Sequence, residues 1–156
     1  MNFGKEKTGK KIKKMNDDLE KEFYFLRNFE IQNFQNLEIE KLITCENLKD
    51  KSVVFVYIKI YENNWQKYFL DAGAGFWEDT MLENYENLDD IEEDENFKFN
   101  DYSKLFEIKN EKIKKIYCEP NDENCQVIIE LNSAKKIILR CKNSKIFDSE
   151  CEIVKE

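Results

Sequence analysis

Three groups of residues in this chain have the types and spacing to do chemistry. Asp71, Glu78 and Asp79 bracket the segment Ala72-Gly73-Ala74-Gly75-Phe76-Trp77. Paired carboxylates of this kind can hydrolyse glycosidic bonds or hold a divalent cation. The stretch from Glu78 to Glu95 carries ten carboxylates and not one Lys or Arg. Five cysteines, Cys45, Cys118, Cys125, Cys141 and Cys151, form the third group. The chain has no histidine, so the commonest general base and the commonest metal ligand are both missing.

Each group also has a reading without catalysis. With 33 Asp and Glu in the chain, two acids beside a glycine loop need no chemical reason. Gly73 and Gly75 lack the third glycine of a dinucleotide fingerprint, and no Lys-Ser/Thr follows them. A tight loop displaying Phe76 and Trp77 is expected instead of a phosphate cradle. The acids after Asp89 do not alternate around a central glycine as a calcium loop requires. The cysteines contain no Cys-x-x-Cys pair, which disfavours structural zinc, and no histidine is present to activate a thiol. Cys118 and Cys125 flank a turn and could pair across a hairpin in an exported protein. In a reducing cell all five are expected to be free thiols. No catalytic residue, metal or cofactor is expected, and an enzyme is not the favoured class.

What remains is a surface made to be bound. An acidic block bordered by amphipathic aromatics suits a protein partner of opposite charge. The partner-binding candidates are Phe76, Trp77, Glu83, Tyr85, Glu86, Asp89, Asp90, Glu92 and Glu93. Trp77 also has a plain reading as a lid on the sheet. The formal charge is −8. Residues 1–15 contain Lys5, Lys7, Lys10, Lys11, Lys13 and Lys14 against Glu6 alone, so the rest of the chain is more acidic still. Such a balance opposes binding to nucleic acid or anionic lipid. The longest apolar run, Val53 to Ile58, is too short to span a membrane. The lysine-rich start is not followed by the apolar core of a signal peptide, so a cytoplasmic location is expected.

The elements that must position these residues are mainly strands. The run 53–60 is β-branched or aromatic at every position but Lys59, as a strand covered on both faces would be. Asn63 and Asn64 offer a turn, and Trp65 to Leu70 returns as its partner. Ile113 to Cys118, Gln126 to Leu131 and Lys136 to Cys141 form a meander, with Cys151 to Val154 as a short edge. Ile12, Met15, Leu19 and Phe23 recur at helical spacing, as do Met81, Leu82, Tyr85, Leu88 and Ile91. The expected fold class is therefore α+β: mostly antiparallel sheet with one or two helices packed on it, in a single domain over 1–156. Residues 1–15 are read as a basic, partly disordered tail.

The stretch from Phe69 to Asp79, with the acidic and histidine-free character of the whole chain, resembles the immunity proteins of bacterial polymorphic toxin and contact-dependent inhibition systems. The resemblance implies a small α+β protein that neutralises one cognate toxin, often a nuclease, by tight binding without catalysis. It implies a basic partner domain and a monomer or small oligomer. The competing readings are an assembly subunit that buries the acidic surface in its own oligomer and, behind it, a metal-dependent hydrolase.

Overall fold

A computed structural model describes residues 11–13, 22–26, 28–61, 65–79 and 95–156. Among them it contains twelve strands and no helix. They are β1 Lys11–Lys13, β2 Glu22–Leu26, β3 Phe29–Ile31, β4 Ile39–Asn47, β5 Val53–Ile60, β6 Trp65–Asp71, β7 Ala74–Asp79, β8 Phe97–Asp101, β9 Ile113–Asn121, β10 Asn124–Leu131, β11 Lys136–Cys141 and β12 Cys151–Lys155. Seven form one sheet in the order β1-β2-β7-β6-β5-β4-β8. Five form a second in the order β12-β11-β10-β9-β3. The expectation of an α+β fold is corrected: the described residues are all-β, with every strand pair antiparallel.

The N-terminal correction has a clear cause. Ile12 and Phe23, two residues of the expected helical face, lie opposite each other in β1 and β2. β2 carries the β-forming run Phe23-Tyr24-Phe25-Leu26 and pairs with β7, so sheet pairing overrides a helical periodicity of four apolar positions. Met15 and Leu19 lie outside the described residues, as do Met81, Leu82, Tyr85, Leu88 and Ile91, on whose spacing the second expected helix rests.

The two sheets stack through the apolar positions of their inner faces. Leu42, Val56, Ile58 and Tyr68 from the larger sheet meet Ile116, Val127, Ile129 and Leu139 from the smaller one in a single core. In the meander, inward Cys125, Val127, Ile129 and Leu131 alternate with Gln126, Ile128 and Glu130. One face of β10 therefore enters the core and the other faces away.

Both interior glycines are explained by the chain itself. Ala72 and Gly73 have φ of 51° and 78°. They form a two-residue turn closed by the Asp71–Ala74 pair, the type I′ geometry that suits the twist of a hairpin. Gly75 faces the smaller sheet, and a Cβ there would lie 2.5 Å from Cys118 Sγ and 3.3 Å from Phe29 Cε2. The turn is also tied across the sandwich: Cys125 Sγ donates to the Gly73 carbonyl at 3.1 Å, and Ala72 N–H donates to Asp148 Oδ1 at 3.0 Å.

Candidate binding face of the seven-stranded sheet

The outer face of the larger sheet is unusually aromatic. Strand register places Phe99, Cys45, Phe55, Phe69 and Phe76 side by side in one row across five strands. The Phe55 and Phe69 rings meet edge to face at 5.4 Å, and Phe69 stacks parallel on Phe76 at 4.7 Å. Both arrangements are favoured by the ring quadrupole. Phe25 of β2 holds the next register position in the row.

A parallel row runs through Asp101, Ile43, Tyr57, Lys67 and Glu78. Lys67 Nζ sits 4.3 Å from the Phe55 ring centre and 3.5 Å from Glu78 Oε1. The ammonium is thus shared between a π face and a carboxylate. Glu78 is only 6% exposed, and Trp65, next along the same face, is fully buried. Burial, followed by the neighbouring Cys45 and Glu78, pushes the Tyr57 hydroxyl up to about 12. The outer face is a second packed layer, with Ile43, Cys45, Tyr57 and Trp65 as its buried centre.

The sequence-predicted residues separate in this frame. Phe76 belongs to the aromatic row and is half-buried. Trp77, its neighbour, points to the opposite face and is 3% exposed. Its indole Nε1 donates to Gln66 Oε1 at 2.7 Å and its ring meets Phe34 edge to face at 6.2 Å. In this fold Trp77 is a core residue, because β7 alternates strictly and the glycine turn starts a strand instead of a displayed loop. Glu83, Tyr85, Glu86, Asp89, Asp90, Glu92 and Glu93 lie outside the described residues. The acids considered as a pair, Glu78 and Asp79, project from opposite sides of β7 by the same alternation, and Asp71 is exposed at the turn. They form no joint site. Among the described residues no cluster of three or more Cys, Asp or Glu is placed to hold a metal ion.

One polar group escaped the sequence reading. Glu46 is buried at the end of β4 and accepts hydrogen bonds from Thr44 Oγ1 at 2.6 Å and from the Tyr102 hydroxyl at 2.8 Å. Burial, and then the Glu46 contact, push the Tyr102 hydroxyl up to about 12. The available signal was an acid ending the run Leu42-Ile43-Thr44-Cys45-Glu46, in which Thr44 is the one other polar residue. A cavity of about 90 Å³ opens beside it, lined also by Lys51, Lys98 and Asn100. With Oε2 accepting from Thr44 and Tyr102, the group reads as a satisfied structural network at the sheet end.

Comparisons with protein-family models, with curated proteins and with solved structures find no match to this chain. The site therefore rests on its own geometry. The acid-rich segment leaves the larger sheet at the end of β7 and re-enters it at β8, with β6, β5 and β4 between the two strands. Both its ends are fixed to the sheet that carries the aromatic row.

Proposed function

We propose that this chain is a non-catalytic acidic binding protein, an immunity protein that neutralises a cognate toxin domain with a basic active cleft, as a nuclease has. The observation that supports this reading is that an acidic run without Lys or Arg joins β7 to the edge strand β8 of one aromatic sheet. Glu83, Glu86, Asp89, Asp90, Glu92 and Glu93 supply long-range attraction. One-signed charge on a surface speeds encounter with an oppositely charged cleft by factors of about 10 to 1,000. Tyr85 and Phe76 supply apolar contact area, and buried Trp77 supports the strand from which the segment departs. The formal charge of −8 and the high acid content set the sign of the partner.

The test is co-expression of the chain with the toxin-like product of the adjacent gene. Growth rescue together with a stoichiometric complex is the expected outcome. Absence of both overturns the reading, and a defined large oligomer of the chain alone would favour an assembly subunit instead.

A further inference from the structure

The smaller sheet aligns three of its cysteines. The β10–β11 register ends at Gln126–Arg140, so Cys125 of β10 and Cys141 of β11 fall one step beyond it, while Cys141 lies opposite Cys151 of β12, all on the inner face. The two pairings differ in kind. Lys136 and Glu156 exchange both backbone hydrogen bonds at 2.8 Å, and Lys142 N–H donates to the Glu150 carbonyl at 2.7 Å. Alternation along β11–β12 then makes Cys141–Cys151 a non-hydrogen-bonded pair. On the other side, Leu131 N–H donates to the Lys135 carbonyl at 2.9 Å. Counting from there, Cys125 and Cys141 fall at a hydrogen-bonded position.

The distinction decides which thiols can join. Non-hydrogen-bonded partners stand with Cα atoms about 4.5 Å apart and side chains close, against about 5.5 Å for the other kind. A disulfide needs Cβ atoms roughly 3.5–4.5 Å apart. Cys141 and Cys151 are direct partners in the β11–β12 register, and the Cys151 thiol has the Ser149 carbonyl 3.9 Å away. Cys118 is excluded by register, since it lies opposite Val127 while Cys125 lies opposite Pro120. All five cysteines are free thiols in this structure.

We propose that Cys141 and Cys151 are a cross-strand dithiol that a low-molecular-weight disulfide converts to a reversible intramolecular disulfide. Cys151 is half-buried on an edge strand, whereas Cys141 is buried, so Cys151 meets the reagent first. Its thiolate attacks one sulfur of R–S–S–R, breaking that bond and releasing RS⁻ with a mixed disulfide left on Cys151. The Cys141 thiolate then attacks Cys151 Sγ and releases the second RS⁻. The two thiol protons end on the two RS⁻ groups, so the protein pair is oxidised and the reagent is reduced to two thiols. Burial, and then the adjacent Cys141, push the Cys151 thiol up to about 12, which makes the first step slow next to that of an exposed thiol.

The bridge would close the loop 142–150, which holds Ile146 and Phe147 at 57% and 59% exposure. That loop is braced from β10, where buried Asn124 donates through Nδ2 to the Ser144 and Ile146 carbonyls and accepts from Asp148 N–H. Oxidation therefore staples β12 to β11 at the base of an ordered loop, without moving it.

The test incubates the full reduced chain with oxidised glutathione, blocks remaining thiols with a maleimide and maps the peptides. A single Cys141–Cys151 disulfide is expected, with three thiols blocked and a thermal midpoint raised by about 5 °C that dithiothreitol reverses. The Cys125→Ser variant should give the same bridge, and the Cys141→Ser variant should stop at a mixed disulfide on Cys151. Five blocked thiols after prolonged exposure, a bridge involving Cys118 or Cys125, or a stable mixed disulfide in the unaltered chain would each overturn the assignment.

Discussion

The two faces of the seven-stranded sheet are built from the same strands by opposite rules. The inner face is mainly aliphatic and is closed by a second sheet, so its stability comes from area removed from water. The outer face sets aromatic rings in a row, with one lysine shared between a ring and a carboxylate. Adjacent residues show the contrast most sharply. Trp77 is sealed inside with its indole N–H satisfied by Gln66, while Phe76 joins the outer row. Proximity in sequence to the acidic run says little about which residue a partner can touch; the parity of the strand decides it.

The largest effects should come from the two tryptophans. Trp77→Ala removes a core ring and its indole hydrogen bond to Gln66, at a cost of about 4 kcal/mol in urea unfolding. Trp65→Ala should cost about 3 kcal/mol despite lying on the outer face, because the residue is fully buried. A cost under about 1 kcal/mol there would mean that the outer layer is not packed as the inner one is. Gly75→Val should follow at about 3 kcal/mol, since its side chain meets Cys118 and Phe29 across the sandwich. Its unfolding midpoint should recover in part when Cys118 is changed to Ala.

Alkaline unfolding probes both faces together. The hydroxyls of Tyr57 and Tyr102 are pushed up to about 12, and that of buried Tyr68 well above its ordinary value of 10.0. Above about pH 10 the unfolded chain releases these protons while the folded chain keeps them, so stability is full below pH 10 and falls as pH rises towards 12. Denaturant midpoints measured with tyrosinate absorbance should drop together over that window. A flat profile up to pH 12 would contradict the burial of these hydroxyls. Smallest, and opposite in sign, is Tyr68→Phe. Among the described residues the buried Tyr68 hydroxyl has no hydrogen-bond partner, so its removal should stabilise the fold by about 1 kcal/mol.

Much of the sheet was legible in the sequence, for physical reasons that also mark where legibility ends. β5 and β6 carry dense β-branched and aromatic residues, and the meander β9–β11 alternates cleanly, so their positions followed from composition and period. β4 was hidden because register shifts near Ile39 and near Cys45 break its alternation. β7 was hidden because Gly73 and Gly75 suggested a loop. One glycine in fact closes a two-residue turn, and the other makes room for Cys118 within a strand. The aromatic row could not be read from sequence at all, since Phe99, Phe55, Phe69 and Phe76 become neighbours only through long-range register. Of the candidate site, Phe76 could be placed by strand alternation once β7 was known, whereas Trp77 followed its own parity into the core.

The central claim is that the acidic run steers a basic partner onto this sheet. It is tested most directly by stopped-flow association of the chain with the adjacent gene product proposed as its toxin partner across a salt series, beside a variant carrying Asp89→Lys, Asp90→Lys, Glu92→Lys and Glu93→Lys. The account predicts that the variant associates about tenfold or more slowly at low salt, that its salt dependence flattens, and that the two rates converge as salt rises. Equal association rates at every salt concentration would contradict it.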